Sequence, residues 1–137
     1  MSTTIVLERL ADILLEALDS EAPGATLVRV DLVPPDELEL ALKPIDVHPT
    51  EALAGFRRPA SCYALGVATG GWAAPMGAKG RPSNHPDAQR VFQVVLVDCA
   101  GSTVARLRRP DGSVLREAPA GGAVLDALLT ALGVQAA

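Results

Sequence analysis

Between Cys62 and Cys99 the chain carries two apolar runs, each long enough for a strand, held apart by one long polar connection. The second run contains Val94, Val95, Leu96 and Val97 in succession. Consecutive side chains of a strand point to opposite faces, so four aliphatic residues in a row predict a central strand buried on both sides. In the first run Cys62, Ala64, Gly66, Ala68 and Gly70 fall on one side, and Tyr63, Leu65, Val67 and Thr69 on the other. Such a row of small residues lets another element approach the backbone closely, more often a packed helix than a ligand. The pair reads as the centre of an antiparallel sheet.

The flanking segments supply the rest of a small domain. Leu7, Leu10, Ala11, Leu14, Leu15 and Leu18 repeat at helical spacing, which predicts an amphipathic helix over 3–19. Ile5, Val6 and Ile13 widen its apolar stripe. Residues 26–33 and 37–43 alternate apolar with polar around Pro34-Pro35-Asp36, the pattern of a hairpin with one dry and one wet face. His48 to Gly55 fits a short helix, with Pro49 at the first helical position and Glu51 in its first turn. Residues 102–109 and 114–117 read as strands joined through Asp111-Gly112, a strong hairpin signal. A last helix over 123–132 ends at Gly133, with only Asp126 and Thr130 polar in it. A helix this apolar is expected between the sheet and the first helix, or against a second copy of the chain.

The expected class is therefore α+β: one antiparallel sheet of five to six strands in the order α-β-β-α-β-β-β-β-α, with both terminal helices packed on one face. A chain of 137 residues suits a single domain and buries about two-thirds of its extended-chain surface, enough for a core without metals or disulfides. A net charge of −4 and only one Trp, one Tyr and two Phe argue against nucleic acid, which is held by excess Lys and Arg or by aromatic stacking. No apolar run approaches the roughly 18 residues that span a membrane. Two cysteines, with no basic-then-apolar leader at the N-terminus, point to free thiols in the cytoplasm.

Chemistry has one main candidate location. Ala73 to Gln89 is 17 residues long, whereas structureless loops beyond about 12–15 residues are commonly functional or disordered. Trp72 leads into it, and Lys79, Arg81, Ser83, Asn84, His85 and Asp87 lie along it, the groups that an anion or polar ligand needs. Gly77-Ala78-Lys79-Gly80 lacks the order of a phosphate-binding loop. His48 and His85 stand apart, without the paired spacing that a zinc site built with Cys62 and Cys99 would show, so no metal or other cofactor is expected. Arg106, Arg108, Arg109 and Arg116 gather on the last hairpin; charge on an outer strand blunts edge-to-edge association, which suffices to explain them.

Four groups of residues carry a resemblance: Ala64-Leu65-Gly66-Val67, His85-Pro86-Asp87, Val97-Asp98 with Gly101, and Asp126 to Gly133. In these the chain resembles uncharacterised small single-domain proteins of high-GC actinobacteria, a likeness that implies no activity. The element order also resembles that of roadblock and profilin-like regulatory domains, a similarity of topology that does not fix function. The leading expectation is a small non-enzymatic binding or regulatory module. It acts through the 73–89 loop, with Trp72, Lys79, Arg81, Asn84, His85 and Asp87 meeting a protein partner or small polar ligand, and forms a homodimer through apolar helical surface. The alternative is an enzyme on a small polar or anionic substrate, with His85 as acid/base and Lys79 or Arg81 holding charge.

Overall fold

A computed structural model describes residues 3–17, 25–34, 37–73, 86–115 and 123–134. The elements follow the expected order: α1 (Thr3–Ala17), β1 (Ala25–Val33), β2 (Glu37–Ile45), α2 (Pro49–Ala54), β3 (Cys62–Ala73), β4 (Gln89–Asp98), β5 (Thr103–Arg108), β6 (Val114–Leu115) and α3 (Ala123–Leu132). The strands form one antiparallel sheet ordered β2-β1-β3-β4-β5-β6. β3 and β4 pair from Ala64↔Asp98 to Ala73↔Gln89, so the two apolar runs are neighbours at its centre.

The helices divide between the two faces. Val28, Val30, Ala64, Ala68, Phe92, Val94, Leu96 and Val104 point toward α1 and meet Leu7, Leu10, Ala11, Leu14 and Leu15. Leu27, Leu65, Val67 and Val97 point the other way and meet Leu53 of α2 with Leu128 and Leu132 of α3. The expectation of both terminal helices on one face is corrected by this arrangement, as is that of α3 lying between the sheet and α1. The reason lies in the run at Val94–Val97: residues 94 and 96 need cover on one side, 95 and 97 on the other, and each terminal helix supplies one.

A β-bulge between Val30 and Asp31 in the β1–β3 ladder makes a second correction. It brings Cys62 opposite Asp31, on the α2/α3 side, and leaves Tyr63 against the α1 side. The strict alternation expected from residue 62 therefore starts only at Ala64, because a bulge puts one extra residue on one strand.

Local chemistry closes each end. His48 caps α2, its Nδ1 accepting from the Thr50 N–H at 3.2 Å. Gly133, at φ +76°, ends α3 with its N–H donating to Thr130 C=O while the Val134 N–H reaches Leu129 C=O, the paired reversal that satisfies the last helical carbonyls. Asp98, fully buried, anchors the β4–β5 turn: its Oδ1 accepts from the N–H groups of Ala100 at 3.0 Å and Ser102 at 2.9 Å. Gly101, at φ +87°, supplies the left-handed residue that this turn requires.

Candidate functional site

Of the residues expected to bind, the structure describes two. Trp72 lies near the end of β3 as the register partner of Arg90. Asp87 is exposed in the turn before β4. Lys79, Arg81, Asn84 and His85 lie outside the described residues.

The sheet itself builds a hollow at the base of that connection. Beyond Thr69, which pairs with the first residue of β1, β3 has β4 as its one partner among the described residues. On the far side β4 pairs with β5, which sets Phe92 opposite Arg108. The β5–β6 turn then folds Arg109, Pro110 and Gly112 toward the same place. The result is a depression of about 340 Å³ lined by Arg90, Val91, Phe92, Arg108, Arg109, Pro110 and Gly112. Arg108 holds its guanidinium over the Phe92 ring, 5.5 Å from the centroid, and donates to the Leu15 carbonyl near the end of α1. Arg109 is fixed by backbone and side-chain bonds to Ser113. Asp111 in the same turn is occupied, its Oδ1 accepting from Ser113 N–H at 2.8 Å and Oγ at 2.6 Å, and these bonds hold its carboxyl below the usual range. Three arginines thus line one concavity together with Val91, Phe92 and Pro110.

Sequence reasoning did not single out Arg90 and grouped Arg108 and Arg109 with Arg106. The register separates them. Arg106 faces α1 and is buried there, with Asp12 at 3.4 Å and Glu8 at 3.8 Å, so its charge is spent within the fold. Arg108 and Arg109 instead line one hollow with Arg90, which precedes Arg108 by 18 residues and is brought near it by the pairing of β4 with β5. Arg116 lies outside the described residues.

A second cluster sits where β1, β3 and α3 meet. Asp31 accepts from Arg29 Nε at 2.9 Å and from Ser61 Oγ at 3.3 Å. Arg58 spans two elements, donating to the Cys62 carbonyl from Nε and Nη2 and to the Leu132 carbonyl from Nη1 at 2.7 Å. Burial raises the Cys62 thiol above its ordinary value; nearby Asp31 adds to the effect, while Arg58 and Arg29 oppose it. A protonated, buried thiol is a poor nucleophile, so the cluster is read as bracing. Cys62 and the exposed Cys99 are both free thiols. Among the described residues no three His, Cys, Asp or Glu gather to hold a metal ion.

Another hollow, about 600 Å³, runs on the α2/α3 side along β1 and β2, bordered by Leu27, Ile45, Phe56, Lys43, Arg57 and Arg29. Its Arg29 is already paired with Asp31. Among the described residues no helix is long and apolar enough to cross a membrane. No family model, curated relative or solved structure matches the chain.

Proposed function

We propose that this protein is a small non-catalytic binding module that takes an anionic ligand at the base of the 74–88 connection and works in the cytoplasm as a homodimer. The observation that carries the ligand reading is the convergence of Arg90, Arg108 and Arg109 on one hollow. Guanidinium forks match carboxylate and phosphate oxygens in pairs, and a partly apolar wall strengthens such bonds by excluding water. Val91, Phe92 and Pro110 form that wall. Lys79, Arg81, Asn84 and His85 belong to the chain that leaves and re-enters the sheet beside it, where Trp72 and Asp87 stand at its two ends. The two free thiols support a reducing compartment. The homodimer is supported by leucines left uncovered on β1 and β2.

Calorimetric titration with inorganic phosphate and with citrate tests the ligand reading. The wild-type chain is expected to bind at least one of them, more weakly as salt rises. Replacing Arg90 and Arg109 together by Ala is expected to weaken binding about tenfold or more, since one charge-assisted hydrogen bond contributes about 1.5–3 kcal/mol. Arg108 is left in place because it also holds α1. No heat from either anion, or an unchanged affinity in the double variant, overturns the reading.

A further inference from the structure

We infer that β2 is the dimer interface: two copies pair their β2 strands antiparallel about a two-fold axis near Leu40, joining the sheets edge to edge. The inference rests on the homodimer reading and names the surface that carries it.

Among the described strands β2 forms one edge of the sheet, and β6 the other. Its residues alternate Glu37, Leu38, Glu39, Leu40, Ala41, Leu42, Lys43. Leu38, Leu40 and Leu42 share the face on which α1 lies, yet they are 39 %, 37 % and 45 % exposed. They are uncovered because α1 packs over β4 and β5, at the other side of the sheet. Leu32, the register partner of Leu38, is 50 % exposed. An apolar stripe therefore runs along an edge whose outward side meets no further strand among the described residues, the combination that invites one.

The charges on the opposite face select the occupant and its direction. Read along β2 they are acid, acid, base: Glu37, Glu39, Lys43. Parallel in-register pairing of two copies sets each charge against itself. Antiparallel pairing about Leu40 sets Lys43 opposite Glu37 of the partner subunit, and the two-fold repeats that pair at the other end. Leu38 then faces Leu42 of the partner subunit on the apolar side. A shift of the axis to Ala41 keeps the complement, with Lys43 opposite Glu39 of the partner subunit. An axis at Glu39 sets like charges together, a destabilising pair. The strand is thus complementary to itself in one direction only, as a closed two-fold contact requires. Pro44, which has no N–H to give a ladder, falls just outside the stretch 37–43 when the axis is at Leu40.

Sedimentation velocity of the full chain tests this. The wild type is expected at twice the 14.2 kDa chain mass. Lys43→Glu makes the edge wholly acidic, and the double change Glu37→Lys with Glu39→Lys makes it wholly basic; each is expected to raise the dimer dissociation constant at least about tenfold. Mixing the two variants is expected to restore a dimer containing one copy of each. All positions changed are exposed, so folding is preserved, and far-UV circular dichroism checks it. A monomeric wild type overturns both the homodimer reading and this inference. A wild-type dimer whose mass neither variant changes overturns the inference alone, as does a mixture that stays monomeric.

Discussion

Gly66 is the position where one added carbon is most informative. It lies at the middle of β3, opposite Val28 on one side and Leu96 on the other. A Cβ built there meets the Cδ2 of Leu96 inside any tolerable contact and the Val95 carbonyl oxygen at 2.5 Å. Leu96 thus occupies the space that a side chain at residue 66 would need. The leucine can change rotamer, but the carbonyl is part of the β3–β4 ladder and moves only if the strands separate. Overpacking of this kind costs about 1–3 kcal/mol, offset by about 0.5–1 kcal/mol because alanine loses less backbone entropy on folding. The expected net loss for Gly66→Ala is about 1–2 kcal/mol, read as a lower urea midpoint at unchanged slope. For a chain of this size that corresponds to roughly 3–6 °C in melting temperature per kcal/mol. Leu96→Ala alone should cost about 2–5 kcal/mol by leaving a cavity. In that background the glycine substitution should be milder by about 1 kcal/mol, since one of its two clashes is gone. A Gly66→Ala variant within 0.5 kcal/mol of the wild type, or strict additivity with Leu96→Ala, would refute the packing account.

Three further outcomes are expected. Asp98→Ala should cost about 2–3 kcal/mol, because the Ala100 and Ser102 N–H groups lose their acceptor; Asp98→Asn keeps Oδ1 and should cost well under half as much, so equal losses by denaturant titration would exclude the turn-anchor role. Arg58→Ala should cost about 1–2 kcal/mol through loss of its bonds to the Cys62 and Leu132 carbonyls, and Arg58→Lys should recover less than half of it, since an ammonium cannot fork between two carbonyls. The raised Cys62 thiol makes stability fall with pH: below about pH 8.5 both states keep the proton, and above it the unfolded chain releases it first while the folded chain holds it. The contribution is lost as pH rises from there through the folded value. A Cys62→Ala variant should show a flatter stability profile between pH 8 and 10, and equal slopes would refute the assignment.

Much of the fold was legible because it rests on short-range chemistry. The helical spacing of Leu7 to Leu15 and the Asp111-Gly112 turn each place an element within a residue or two of where it lies. So does the Gly133 stop after α3. The unbroken run at Val94–Val97 already required cover on both faces, so the division of the helices could have been drawn from it. The pull toward a single layer came from the apolar character of α3, which is met instead by α2 and the β3–β4 face. The bulge at Tyr63 had no such signal. Nothing in the sequence around Cys62 marks an extra residue, and the alternation there looks regular until Asp31 sets the register.

The candidate site was legible only as a place. The length and polarity of the connection point to its surroundings, but the arginines that border the hollow come from β4, β5 and the turn beyond, and each reads locally as an ordinary strand charge. What assigns them different work is the part of α1 that each one meets. Arg106 and Arg108 are two residues apart and therefore share the α1 face. Arg106 lies beneath the acidic flank of α1, whereas Arg108 reaches the end of that helix, where it meets the Leu15 carbonyl and lies over the Phe92 ring. Leucines on β2 that would be core in a central strand are left exposed at the margin, because α1 covers the opposite half of the sheet. If β2 is the proposed interface, Leu40→Lys, which places a charge on that exposed apolar face, should cost little fold stability while abolishing self-association. Urea unfolding and sedimentation read the two separately, and a large stability loss in a chain that stays dimeric would place these leucines in the core after all.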